Sequence, residues 1–90
     1  MLYELKLADD STVQVSMAGV GLQGELWVHV HGMTLAECVA VFTNPQKSAQ
    51  MTIDYDGTIN DSFSGFTDLF SVSVCDDFIV VGLKRGAVNA

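Results

Sequence analysis

Basic residues are scarce in this chain. Lys6, Lys47, Lys84 and Arg85 stand against eleven Asp and Glu in 90 residues, for a net charge of −7. From Asp54 to Asp77 the acids Asp54, Asp56, Asp61, Asp68, Asp76 and Asp77 follow one another with no cation among them. A protein that grips nucleic acid needs a basic footprint to displace counterions from phosphates, so direct nucleic-acid binding is not expected. Long apolar runs are also missing, and nothing approaches the roughly 18 residues of a membrane span. The start, MLYELKLADD, lacks the basic flank and apolar stretch of a secretory leader. Cys38 and Cys75 are far apart, with no C-x-x-C spacing, and read as reduced thiols of a cytoplasmic protein.

Charged residues are 17% of the chain, below the usual quarter, while hydrophobic residues reach 49% and mean hydropathy is +0.33. That balance argues against disorder and for one domain, residues 1–90, with a real core and apolar surface left for another chain.

Strict alternation opens the chain. In LYELKL, Tyr3, Leu5 and Leu7 share one face, and in TVQVSM so do Val13, Val15 and Met17, around a turn at ADDS. These runs predict a β-hairpin. MAGVGLQG, rich in glycine, reads as a loop. ELWVHVH is a third strand with Leu26, Val28 and Val30 on one face and Trp27, His29 and His31 on the other. The period then lengthens. Thr34 and Glu37 form a capping box ahead of Leu35, Cys38, Val39 and Phe42, and Pro45 ends the helix, which covers about residues 35–43. A polar connector leads to QMTIDY, with Met51, Ile53 and Tyr55 on one side, and Asp56-Gly57 signals a type I′ turn. A two-residue turn would pair Tyr55 with Thr58 and Ile53 with Asn60, apolar against polar. TINDSFSGF is therefore either an exposed edge or is reset in register by a longer loop. LFSVSVC sets Phe70, Val72 and Val74 against Ser71, Ser73 and Cys75, and across a turn at Asp76-Asp77 FIVVGLK offers Ile79, Val81 and Leu83. The fold expected is α+β: a mainly antiparallel sheet or small, partly open barrel of six to seven strands, with one short helix packed on it.

Chemistry-bearing patterns are few. His29 and His31, two apart on a strand, could present ring nitrogens to one ion. A zinc site needs three or four ligands, and the remaining candidates, Cys38, Cys75, Asp76 and Asp77, have no supporting spacing. No G-x-S-x-G elbow occurs, and the glycines of AGVGLQG precede neither Lys-Ser/Thr nor a helix start, so they make no phosphate cradle. Asp54 and Asp56, a conceivable acid–base pair, flank a turn. No enzyme activity and no cofactor are expected. The candidate contact residues are Trp27, His29 and His31 on the third strand, with Asp54, Asp56, Asp61, Phe63 and Phe66 in the following hairpin, where strand addition could occur.

Residues 34–85 resemble a group of short proteins encoded by tailed bacteriophages and prophages of Gram-positive hosts. The match lies in Phe42, Asn44 and Pro45 at the helix end, in Gly65, Phe66, Thr67 and Leu69 of F-x-G-[FY]-T-x-L, and in the closing Leu83-Lys84. The resemblance implies a phage context and a binding role, and it transfers no catalytic residue. The expectation is a non-enzymatic virion or assembly component of the bacterial cytoplasm or the particle, acting on protein partners, self-association among them. Two rivals stand beside it: an anti-CRISPR-like inhibitor of host defence using its aspartates, and a small zinc protein using His29 and His31.

Overall fold

A computed structural model describes residues 1–55 and 59–86. The strands are β1 (Tyr3–Lys6), β2 (Thr12–Val20), β3 (Leu26–His31), β4 (Gln50–Tyr55), β5 (Ile59–Ser64), β6 (Asp68–Val74) and β7 (Ile79–Lys84). Helices α1 (Leu35–Phe42) and α2 (Pro45–Ser48) lie between β3 and β4. All seven strands join one open antiparallel sheet in the order β5-β4-β1-β2-β3-β7-β6.

The expected first hairpin is present. Asp10 takes the left-handed conformation at φ 71°, and the Leu7 amide donates to the Ser11 carbonyl at 2.8 Å. Asp is one of the few residues with a side chain that adopts this conformation at modest cost. The second strand differs from its expectation. A bulge between Val15 and Met17 inserts Ser16 as an extra residue and reverses the alternation. Met17, expected inward, is 36% exposed, and Ala18 is buried in its place. The strand also runs on to Val20, so the supposed loop shrinks to the turn at 21–25, where the Gly21 amide donates to the Glu25 carbonyl.

Helix α1 begins at the expected capping box: the Glu37 amide donates to Thr34 Oγ1 at 3.1 Å and the Thr34 amide to Glu37 Oε1 at 2.9 Å. Cys38 and Phe42 enter the core, but Leu35 and Val39, read as part of the same face, remain partly exposed. Pro45 ends α1 and also starts α2, with Asn44 as its cap, where the sequence suggested only a connector. Proline suits a first helical position because its missing amide hydrogen has no partner there. The two helices carry the chain across the concave face from β3 to β4, on the far side of β1.

Strands β4 and β5 pair Tyr55 with Ile59, Ile53 with Asp61 and Met51 with Phe63. The register is therefore one residue longer than a two-residue turn gives, and it sets Phe63 beside Met51 in the core. The expected turn at Asp56-Gly57 lies outside the described residues. Both alternatives raised for this hairpin hold, since β5 is also an edge. Segment 65–67 then joins β5 to β6, the opposite edge, so the sheet must curl until its two margins approach at this corner. Gly65 occupies φ 79° there, donates to the Ala49 carbonyl and accepts from the Gly86 amide. Phe66 plugs the corner at 1% exposure with Arg85 over its ring.

A second bulge, between Leu69 and Ser71, makes Phe70 the extra residue of β6. Phe70 therefore does not share a face with Val72 and Val74, as strict alternation required. It crosses to the convex side, 5.4 Å from Trp27.

Candidate partner-binding face

Strand β3 alternates buried and half-buried residues along its whole length, which sends Leu26, Val28 and Val30 into the core and Trp27, His29 and His31 to the convex face. The convex neighbours of Trp27 are Gly19 on β2 and Gly82 on β7. The indole lies in this trough, edge-on to Phe70 at 73°, and its N–H donates to Glu25 Oε1 at 3.3 Å. Lys84 Nζ stands 4.8 Å over the Phe70 ring.

One row along, His29 lies between Met17 and Val80. Phe78, just ahead of β7, stacks on His29 at 4.9 Å and on His31 at 5.5 Å. His31 Nε2 is 2.8 Å from Ser16 Oγ, so the β2 bulge aims its extra residue at this imidazole. Among the described residues no three of His, Cys, Asp and Glu gather where a metal ion could be held. Cys38 is buried in the core on the other side of the sheet, and both imidazoles pack face-on against a phenyl ring. The H-x-H pair is built into an aromatic cluster, and the described residues around it do not supply a zinc ligand set.

The convex face is divided. Beyond β2, across β1, β4 and β5, it becomes polar, with Glu4, Lys6, Thr52, Asp54, Asn60 and Ser62 around a shallow depression of about 420 Å³. Asp54 pairs with Asn60, whereas Asp61 pairs with Ile53 and lies on the opposite side of β5. Those two aspartates therefore make no common acidic face, and Asp56 lies outside the described residues.

Phe63 and Phe66 are corrected from contact residues to core residues: they are 6% and 1% exposed and meet edge-on at 6.5 Å. Conversely, the sequence reading missed Phe78, Phe70 and Met17 as companions of Trp27. Phe78 was accessible to it, because Ile79, Val81 and Leu83 inward places Phe78, Val80 and Gly82 outward. Phe70 and Met17 were hidden by the bulges.

No helix of the described residues is long and apolar enough to cross a membrane. No protein-family model, curated protein or solved structure matches the chain.

Proposed function

We propose that the chain is a non-enzymatic protein-interaction module of a tailed phage or prophage, made in the bacterial host and serving as a virion or assembly component. The observation that carries the interaction role is the aromatic half of the convex face. There Trp27 and Phe70 pack half-exposed over Gly82, and Phe78 stacks on His29 and His31 further along the same face, with charged groups at the margin. Aromatic side chains set in a shallow, largely uncharged patch are what protein interfaces use as anchors. The phage assignment rests on the sequence resemblance across residues 34–85.

The inhibitor reading is less well supported, because Asp54 and Asp61 face opposite ways. The proposal is tested on particles purified from the producing culture. Stoichiometric recovery of the chain with the particles, lost in a Trp27→Ala variant that still folds, supports it. Recovery of the wild-type chain only in the soluble fraction overturns the assembly role. Recovery of the variant at the wild-type level removes Trp27 from the interface.

A further inference from the structure

The sheet ends in two unlike edges. Strand β5, INDSFS, carries the charged Asp61, a guard that natural edge strands use against unwanted pairing. Strand β6 has none over Leu69–Cys75, LFSVSVC, which contains neither charge nor proline. Val74 is 67% exposed on this edge, and Leu35 of α1, 47% exposed, lines the same groove. The bulge at Phe70 disturbs only the beginning of the strand.

The free hydrogen-bonding groups of this edge follow from the β6–β7 ladder. The Cys75 amide donates to the Phe78 carbonyl at 2.8 Å, so Cys75 turns its polar groups toward β7. Alternation along an antiparallel strand gives Ser73 the same direction and leaves Val72 and Val74 pointing theirs away from the sheet. We propose that a second copy of the chain pairs with this edge, β6 against β6, antiparallel about a two-fold axis at Ser73. Ser73 then faces its own equivalent. Val72 faces Val74 of the second copy, and each such pair exchanges both N–H···O bonds. The valines meet on the concave side next to the exposed Leu35 of α1, and the serines meet on the convex side.

Charge selects the same arrangement. The cations Lys84 and Arg85 stand at the start of β6, alongside Asp68 and Glu25, while Asp76 and Asp77 follow its end with no cation nearby in sequence. Antiparallel self-pairing carries the acidic end of one copy to the mixed end of the other, with Asp76 arriving beside Phe70 and the Lys84 ammonium above it. A parallel arrangement would set Asp76 and Asp77 against themselves. A segment that complements its own reverse is the signature of an isologous two-fold contact.

This inference rests on the protein-interaction reading and names one partner and one edge for it. The test is light scattering and sedimentation of the full chain over a concentration series, with register read by cross-linking. The expected result is a dimer that dissociates on dilution. Val74→Pro removes an amide that β7 does not use, so the hairpin persists and the dimer is lost. Should Val74→Pro unfold the protein, Val74→Lys, an exposed substitution that places charge in the seam, gives the same readout. In a Cys75→Ser background, Ser73→Cys forms an intermolecular disulfide on mild oxidation. Its non-hydrogen-bonded position brings the Cα atoms to about 4.5 Å, within disulfide range. Ser71→Cys, displaced from its own equivalent, does not cross-link. A monomer at millimolar concentration, a dimer that survives the folded Val74 variant, or equal cross-linking at positions 71 and 73 overturns the inference. A monomer that still joins particles through Trp27 refutes the self-pairing alone, and a dimer indifferent to Trp27→Ala leaves the self-pairing standing.

Discussion

Gly82 lies directly beneath Trp27: a Cβ built on it would stand 2.7 Å from Trp27 Cζ3 and 3.0 Å from Phe70 Cζ. Gly19, across the indole on β2, has only Met17 Sδ at 3.8 Å. The ring therefore leans toward β7, and the missing side chain of Gly82 is what seats the aromatic pair. Gly82→Ala should push the indole toward water and cost about 1–2 kcal/mol, in the range of an overpacked site. Gly19→Ala should change stability by less than about 0.5 kcal/mol, as most surface substitutions do. Trp27 is the single tryptophan, so its emission maximum reads the difference: red-shifted in the first variant and unchanged in the second. Equal behaviour of the two would refute the asymmetry.

Strands β1, β3 and β7 were legible because their alternation is unbroken between pattern and burial, and the capping box gave the start of α1. Strands β2 and β6 were misread for one physical reason. A bulge adds a residue without leaving a mark in the hydrophobic pattern, so in β2 Met17 turns out and Ala18 turns in beyond Ser16, while in β6 Phe70 alone parts from Val72 and Val74. The site was half legible in the same way. Parity along β3 gives Trp27, His29 and His31, but only the pairing of distant strands and the Phe70 bulge bring the other rings to them.

Phe66 and Phe70 separate core from surface. Phe66 is 1% exposed at the corner where the two sheet margins approach, and Phe70 is 42% exposed. Phe66→Ala should cost about 3–5 kcal/mol, enough to leave a marginal domain substantially unfolded at physiological temperature. Phe70→Ala should lose well under half of that, with the fold intact. Urea midpoints of the two variants decide the ranking. Comparable losses would mean that the β6 bulge is itself supported by the Phe70 ring.

Asp9 ties the first hairpin to α2. Lys47 Nζ lies 2.6 Å from Asp9 Oδ2, and the Ala8 amide donates to the Lys47 carbonyl. The Lys47 hydrogen bond first, and then those from Ser11, hold the Asp9 carboxyl well below its ordinary value of 3.8. A depressed carboxylate contributes stability that is present above the unfolded value and is lost as pH falls through the folded one. Glu37 is shifted in the same direction by the Thr34 amide and hydroxyl. The urea midpoint should therefore fall between about pH 5 and pH 2, and less steeply in Lys47→Met. Carboxyl NMR of that variant should show Asp9 titrating at higher pH than in the wild type. An unmoved Asp9 would show that the ammonium does not govern it.

The capping box at α1 carries more weight than its exposure suggests, because an eight-residue helix has little stability of its own. Thr34→Ala removes the acceptor for the Glu37 amide and should cost about 1 kcal/mol, whereas Thr34→Ser should be close to neutral. Thermal melts provide the comparison, and amide exchange at Glu37 localises it. A loss shared equally by the serine variant would point to the Thr34 methyl rather than the cap.

The two thiols report on different events. Cys75 is exposed just past β6, while Cys38 is fully buried beneath α1, where desolvation first and the neighbouring Glu37 carboxylate second push its thiol pKa up. An aromatic disulfide reagent should titrate one thiol per chain rapidly and the second only as the helix lifts from the sheet, since reaction needs both access and thiolate. The slow rate should rise in Thr34→Ala, because the cap stabilises the closed helix, and it should stay unchanged in Gly19→Ala. If Cys38 opened no faster than the molecule unfolds globally in both variants, α1 would be part of the same cooperative unit as the sheet.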